Sequence, residues 1–372
     1  MSPIDPTRSV LPRRTLLAGA AGLGTLPLVA LPRSARAQDR PVTEVQGFKT
    51  TADVAKAEAE GEVVFYTHDG EAAASAVVTA FSKLFPKIKG TYVRAQNGAL
   101  YSKLLAERSA GRFGVDVVQF SDVGTGVDFQ KRGGYDIHPL PESAAYDPLY
   151  LGDGSGGASN AYFVAGVSFA GIAYNTDKVA PQDAPKTWKD LLHPRWRNAM
   201  STKQVTSGTQ FVQWYELRKL YGPGFWTEFA KQRPRGFDSR VQLFDRLAKG
   251  VDRICALAEY AGYALYKQKG APIAFVTPDD GLPASPFIAG AVSKAPHPEA
   301  GRLMLDWMMS RGGQTLYQDE PQLFYGSVRK DAPPMPGNVT LRDFKLLVPK
   351  DMPDYLASRD AFNKEWNGML GL

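Results

Sequence analysis

Between Val63 and Lys131 the chain repeats one arrangement three times: a short apolar run, a polar turn, then a segment of helical length. Val63-Val64-Phe65-Tyr66 reads as a buried strand, Thr67-His68-Asp69-Gly70 as its loop, and Glu71 to Phe85 as a helix stopped before Pro86. Lys89 to Arg94 is a second strand, followed by the loop Gln96-Asn97-Gly98 and a helix from Ala99 to Ser109. Val115 to Phe120 is a third, ending in Ser121-Asp122, with a helix through Lys131. Apolar strands alternating with helices bury their surfaces in a mostly parallel sheet covered by helices on both faces, so the fold class is α/β. Ligands of such sheets sit outside the carboxyl ends of the strands. That rule singles out Tyr66, His68, Arg94 and Asp122.

Upstream, residues 38–60 are a polar lead-in followed by a helix from Thr51 to Glu60. Residues 146–160, rich in Gly, Asp and Ser, form an irregular connection. They lack the Gly-Lys-Ser/Thr ending of a phosphate-binding loop, which removes nucleotide binding. Tyr162 to Tyr174 is apolar, β-prone and long enough to run from one lobe to another, and Thr187 caps a helix over Trp188 to Leu192. A second lobe follows. Ser207-Gly208-Thr209 opens a helix to about Leu220, and Lys231 to Ser239 leads to Arg240 and a helix over Val241 to Lys249. Cys255 to Leu257 is a strand running into Glu259-Tyr260 and a helix to Lys269, and Ala271 to Val276 is another strand. Ala284 to Val292 crosses back, and Glu299 to Ser310 is an amphipathic helix with Leu303 and Trp307 on one face. Two crossings make a hinge. The expected lobes are 42–174 with 282–325, and 175–281 with 326–372. The tryptophans Trp188, Trp196, Trp214 and Trp226 are assigned to the core, and Thr277 to Gly281 to a turn joining the lobes.

The net charge of +6 invites a nucleic-acid partner, but its distribution argues against one. Residues 1–37 hold Arg8, Arg13, Arg14, Arg33 and Arg36 against Asp5 alone, leaving a net charge of only +2 for the remainder. A phosphate backbone needs clustered Lys and Arg. Arg13-Arg14, the uncharged stretch Thr15 to Leu31 and Ala35-Arg36-Ala37 have the order of a cleaved secretory signal over residues 1–37. The paired arginines and modest hydrophobicity are similar to a twin-arginine (Tat) signal, with Sec export the alternative. The mature chain is expected to be free in the periplasm. Cys255 is the only cysteine, so no internal disulfide and no thiolate zinc site can form.

The string Ala173-Tyr174-Asn175-Thr176-Asp177-Lys178-Val179, then Pro185-Lys186-Thr187-Trp188 and Asp190-Leu191-Leu192, resembles the signature of extracellular solute-binding proteins of the ferric-binding-protein type. Val205-Thr206-Ser207-Gly208-Thr209 and Glu259-Tyr260 ahead of Gly270-Ala271-Pro272 resemble it too, and the likeness covers residues 61–330. It implies a two-lobed periplasmic-binding-protein fold of type II, hinged on two crossing strands. It also implies a non-enzymatic, monomeric substrate-binding component of an ABC transporter, which delivers its ligand to a membrane permease and ATPase. No cofactor is implied.

Ferric-binding members use two adjacent tyrosines with a His and a Glu from the other lobe. The tyrosine pair falls on Tyr260 and Ala261, the carboxylate on Asp122, and the histidine near Gly70, two residues after His68. One phenolate is missing, unless Tyr263, one helical turn on, replaces it. Ferric iron prefers several anionic oxygens, so the loss weakens iron as the ligand. The family's phosphate seat, a Ser-Gly helix start, matches Ser207, Gly208 and Thr209, and Arg240 stands where the family has a neutral amide. A helix start with an arginine beside it suits an anion. The expected ligand is therefore a small organic phosphate, phosphonate or carboxylate held by Tyr66, His68, Arg94, Asp122, Ser207, Gly208, Thr209, Arg240, Glu259 and Tyr260. The alternative is Fe3+ on Tyr260, Asp122 and His68 with a companion anion. A remoter one is an exported hydrolase, since Gly166-Val167-Ser168-Phe169-Ala170 is loosely similar to a nucleophile elbow but lacks its final glycine.

Overall fold

The computed structural model describes residues 40–151, 160–204, 208–237 and 239–371. The expected signal segment and Ser207 lie outside the described residues, as does most of the irregular connection at 146–160. The chain opens with a hairpin, β1 (Thr43–Val45) and β2 (Phe48–Thr50), where a polar lead-in was expected, and the first helix, α1 (Val54–Glu60), starts three residues late. Burial of Thr50 explains the shift. Its hydroxyl donates to Asp306 at 2.7 Å, which ties this stretch to the core in extended form. Asp53 then caps α1, and Gly61 ends it with φ 73, a left-handed conformation that suits glycine.

The three repeats form as expected: β3 (Glu62–Thr67) and α2 (Glu71–Leu84), β4 (Lys89–Arg94) and α3 (Asn97–Ser109), β5 (Val117–Phe120) and α4 (Val123–Lys131). β3 pairs in parallel with β4 on one side and β5 on the other. The long strand β6 (Phe163–Asn175) leads to β7 (Met200–Lys203), α5 (Gly208–Tyr221), α6 (Phe225–Ala230), β8 (Arg235–Phe237) and α7 (Arg240–Ala248). Next come β9 (Ile254–Glu259), α8 (Tyr260–Gln268), β10 (Ile273–Val276) and the second long strand, β11 (Leu282–Ala291). α9 (Pro298–Met309), α10 (Arg311–Asp319), β12 (Leu346–Leu347), α11 (Met352–Ala357) and α12 (Arg359–Leu370) complete the chain. Trp188–Leu192 is a 3-10 turn with a reciprocal capping box between Thr187 and Asp190.

The strand order is β4-β3-β5-β11-β6-β9-β7-β8, with β10 on β6 and β12 on β11. β6 changes partners part-way. Phe163 to Phe169 pair with β11, and Ala170 to Tyr174 pair with β9. The core changes at the same place, since Phe169 belongs to a cluster around Phe65, Phe81, Phe120 and Trp307, and Ile172 to one around Trp188, Phe211, Trp226 and Trp366. The four tryptophans assigned to the core are all buried there. Val328, Met335 and Leu341, expected in the second lobe, pack instead into the first cluster. Paired hydrogen bonds of 2.9 Å between Val167 and Gly326 hold that segment against β6. The tail rejoins the second cluster at Tyr355, Phe362 and Trp366. Gly281 closes the turn before β11 with φ 113, and Asp280 there accepts from Trp188 N–H and Tyr221, so this carboxylate fastens the turn.

Candidate functional site

The strands on both sides of the molecule deliver their carboxyl ends, and the starts of the helices that follow, to one cavity of about 880 Å³. After β3 come His68, Asp69 and Gly70; after β4, Gln96, Asn97 and Gly98; after β5, Ser121 and Asp122. From the other side come Lys203 at the end of β7, Gly208 and Thr209 opening α5, Arg240 opening α7, and Glu259 ending β9. Gly70 and Gln96 precede α2 and α3 without a side-chain cap, so the first-turn N–H groups of two helices remain available to an anion. The volume is that of a small-molecule pocket.

Among the described residues four cations and three carboxylates line this space, and their pairing differs sharply. Asp69 is buried and saturated: Gln119 donates at 2.7 Å, Tyr325 at 2.9 Å, and Thr67 at 3.3 Å. Burial and the neighbouring Asp69 push the Tyr325 phenol well above its ordinary pKa, so it stays a donor. Arg94 donates from Nε to the Asp69 carbonyl at 3.1 Å, leaving its two terminal nitrogens without a partner among the described residues. Asp122 caps α4 through Thr125 N–H and accepts from Arg359 at 3.1 Å, and the Arg359 guanidinium lies 3.9 Å over the Phe211 ring. Lys203 pairs with Glu259 at 3.2 Å. Burial alone would push the Glu259 carboxyl up, but Lys203 and Arg240 outweigh it and hold it below the ordinary range. Arg240 itself has no hydrogen bond and no ion pair within 4 Å among the described residues.

The floor is aromatic. His68 tilts against Phe287 at 5.6 Å, and Phe287 packs edge-on to Tyr325 at 4.5 Å. His68 Nδ1 is buried with no hydrogen-bond partner among the described residues, while Nε2 lies 3.6 Å from Asp69. Across the cavity, Thr209 donates to Ser168 at 3.3 Å. Gly208 permits a close approach, because a Cβ there would lie 2.8 Å from Ser285 Oγ and 3.2 Å from the Ser121 carbonyl.

Of the residues proposed from the sequence, His68, Arg94, Asp122, Gly208, Thr209, Arg240 and Glu259 line one cavity. Two expected residues do not join them. Tyr66 is buried under α3, where its hydroxyl donates to Glu107 at 3.1 Å, because alternation along β3 turns it away from the strand end. Tyr260 opens α8, with Glu259 taking the strand-end position. Its ring stacks on Phe169 at 5.0 Å and its hydroxyl donates to the Pro336 carbonyl at 2.6 Å. With Tyr263 it lines a separate cavity of about 410 Å³. The set Tyr260, Asp122 and His68 therefore does not converge, and among the described residues no group of three His, Cys, Asp or Glu could hold a metal ion. Ser168 lines the cavity, and its described hydrogen-bond partner is Thr209.

Lys203, Ser285, Phe287, Tyr325, Leu356 and Arg359 line the cavity without having been singled out in the sequence. Lys203 and Asp122 at the ends of parallel strands carried a usable signal, of which only Asp122 was recognised. Arg359 carried none, because nothing local says that the last helix returns to the strand ends.

Comparison with known proteins places these features in a wider group. An uncharacterized protein of Haemophilus influenzae is 24% identical over 279 residues, which are 70% of this chain and 76% of that one. The periplasmic binding protein AfuA from Actinobacillus pleuropneumoniae, solved with fructose-6-phosphate bound, superposes with a TM-score of 0.69 at 19% identity, covering 84% of this chain and 99% of AfuA. Iron-bound HitA from Pseudomonas aeruginosa superposes with a TM-score of 0.67 at 18% identity, covering 83% and 99%. These likenesses show the type II periplasmic-binding-protein fold, in which β6 and β11 are the two crossing strands. The family model described as "Bacterial extracellular solute-binding protein" matches residues 147–341, more than half of the chain, and the protein belongs to that family.

Proposed function

We propose that this substrate-binding protein of an ABC importer works in the periplasm and captures a small organic anion, a phosphate ester, phosphonate or carboxylate, for a permease and its ATPase. The observation that carries this reading is Arg240, a cation on the first turn of a helix, facing a cavity and unpaired among the described residues. A planar guanidinium of that kind binds phosphate or carboxylate with two parallel hydrogen bonds. The free ends of Arg94 and the uncapped starts of α2 and α3 add donors from the opposite wall. A ligand touching both walls gains contacts only when they approach, so binding selects the closed arrangement that a permease would read. The fructose-6-phosphate bound by AfuA is a precedent for a phosphate ester in this fold. Export through the signal at residues 1–37 and a monomeric state belong to the same reading. Among the described residues no helix is long and apolar enough to cross a membrane.

The test is thermal melting of residues 38–372 with a panel of sugar phosphates, phosphonates and carboxylates, with ferric iron plus phosphate alongside. A melting point raised by organic anions supports the reading, since a ligand at 100 times its Kd contributes about 2.7 kcal/mol. A rise with iron alone, accompanied by a visible tyrosinate-to-iron band, would replace it with iron binding.

A further inference from the structure

The three carboxylates that line the cavity among the described residues are not equivalent, and the difference bears on what the anion must carry. Asp69 is saturated by Gln119, Tyr325 and Thr67. Asp122 has one oxygen on Thr125 N–H and the other on Arg359. Glu259 has Oε1 on Lys203 at 3.2 Å, and its Oε2 has no hydrogen-bond partner among the described residues. In the open cavity water can meet that oxygen, but a ligand that displaces the water must supply a donor of its own or leave the carboxylate oxygen unmet. The cavity leaves room for one. At about 880 Å³ it is far larger than an inorganic phosphate, and Glu259 shares its rim with Arg240, the anion's strongest candidate partner. An anion with nothing but acceptors, held by Arg240, would bring its lone pairs and charge against Glu259.

Resting on the anion reading above, we propose that Glu259 selects a ligand with a hydroxyl or ammonium donor a few bonds from its anionic group, and disfavours anions lacking one. Lys203 holds Oε1 and so aims Oε2 at the ligand; it is a positioning residue. Discrimination follows from the cost of an unmet polar group: a site built around a hydrogen bond rejects an analogue that cannot make it more strongly than an apolar pocket rejects a missing methylene.

Matched pairs test this by titration calorimetry on the mature chain. Glycerol 3-phosphate against propyl phosphate isolates the hydroxyl, 2-aminoethylphosphonate against ethylphosphonate isolates the ammonium, and sulfate, which carries no proton at neutral pH, is the bare anion. The expected result is at least tenfold tighter binding of the donor-bearing member of one pair, which identifies the donor. Glu259→Gln should erase an ammonium preference and shrink a hydroxyl preference, because the amide oxygen still accepts but carries no charge. Equal affinity within both pairs for the unaltered protein overturns the proposal while leaving the anion reading intact, and does so without any variant. Failure of every anion to bind overturns both.

Discussion

Arg359, the first residue of the last helix, donates to Asp122 at the end of β5 across 3.1 Å, so the tail of the chain grips the opposite side of the ligand cavity. Beside this pair Leu356 packs on Gly124, where a Cβ would come within 2.4 Å of its side chain. The two contacts join α11 and α12 to α4 and bound one edge of the cleft. Because the pair is partly exposed, at 33% and 15%, its worth to stability is modest, about 1 kcal/mol. Arg359→Ala is expected to lower the melting point by only a few degrees while weakening ligand binding, and a melt run beside a titration separates the two effects.

Gly208→Ala tests the approach of the walls. The added methyl would sit 2.8 Å from Ser285 Oγ and 3.2 Å from the Ser121 carbonyl, and separation of the walls relieves both clashes. Affinity should fall at least tenfold with little change in thermal stability. Ser285→Gly in the same chain should restore part of it, whereas a variant that melts much earlier would mean that the glycine serves the fold instead.

Arg240→Ala should reduce affinity for an organic anion about a hundredfold, the loss of one or two charge-assisted hydrogen bonds of roughly 1.5–3 kcal/mol each. Arg240→Lys should recover part of the binding as a point charge without the planar fork. Since Arg240 makes no ion pair among the described residues, both variants should melt close to the parent. Unchanged affinity in Arg240→Ala would remove this residue from the site.

Trp366 links the core to the cleft. It is 1% exposed, packs on Trp226 at 5.0 Å, and its indole N–H donates to the Lys203 carbonyl at 3.1 Å. Trp366→Ala is expected to cost about 3–5 kcal/mol of stability. Trp366→Phe should cost less but still weaken ligand binding, because the Lys203 carbonyl loses its indole donor and is left with the Gln210 side-chain amide. Denaturant melts combined with titration of the phenylalanine variant check this.

Glu299 sets a pH dependence. Burial would raise its carboxyl, but the Asp53 N–H and the guanidinium groups of Arg40 and Arg302 prevail and hold it below its ordinary value. A carboxyl depressed in the folded state stabilises fully above its unfolded pKa, near 4.3, and loses that contribution as pH falls through the folded value. The difference in melting point between the parent and Glu299→Gln should be constant from about pH 7 to 5 and shrink below about pH 4. A difference that grows on acidification would contradict this assignment.

Much of the architecture was legible because it is written locally. Alternating strand and helix patterns, the glycine and proline stops, and the rule that α/β sheets bind at their strand ends led to His68, Arg94, Asp122, Gly208, Arg240 and Glu259 from the residues and the family resemblance alone. The hairpin at Thr43–Thr50 was missed because its cause is Asp306, some 250 residues away. Tyr66 and Tyr260 were placed by their neighbours in sequence, yet alternation turned one under α3 and the geometry of a helix start turned the other toward Pro336.

By itself, then, the order of residues determined most of the elements, their connections and several of the loops that border the cavity, since these follow from period, caps and backbone stereochemistry. Only the tertiary structure decided which charges are spent and which remain. Asp69 is consumed by Gln119 and Tyr325, Asp122 by Arg359, and Glu259 keeps an oxygen without a described partner. The reason is physical: a charge's availability depends on partners brought into hydrogen-bond reach by folding, and those lie up to 256 residues away along the chain.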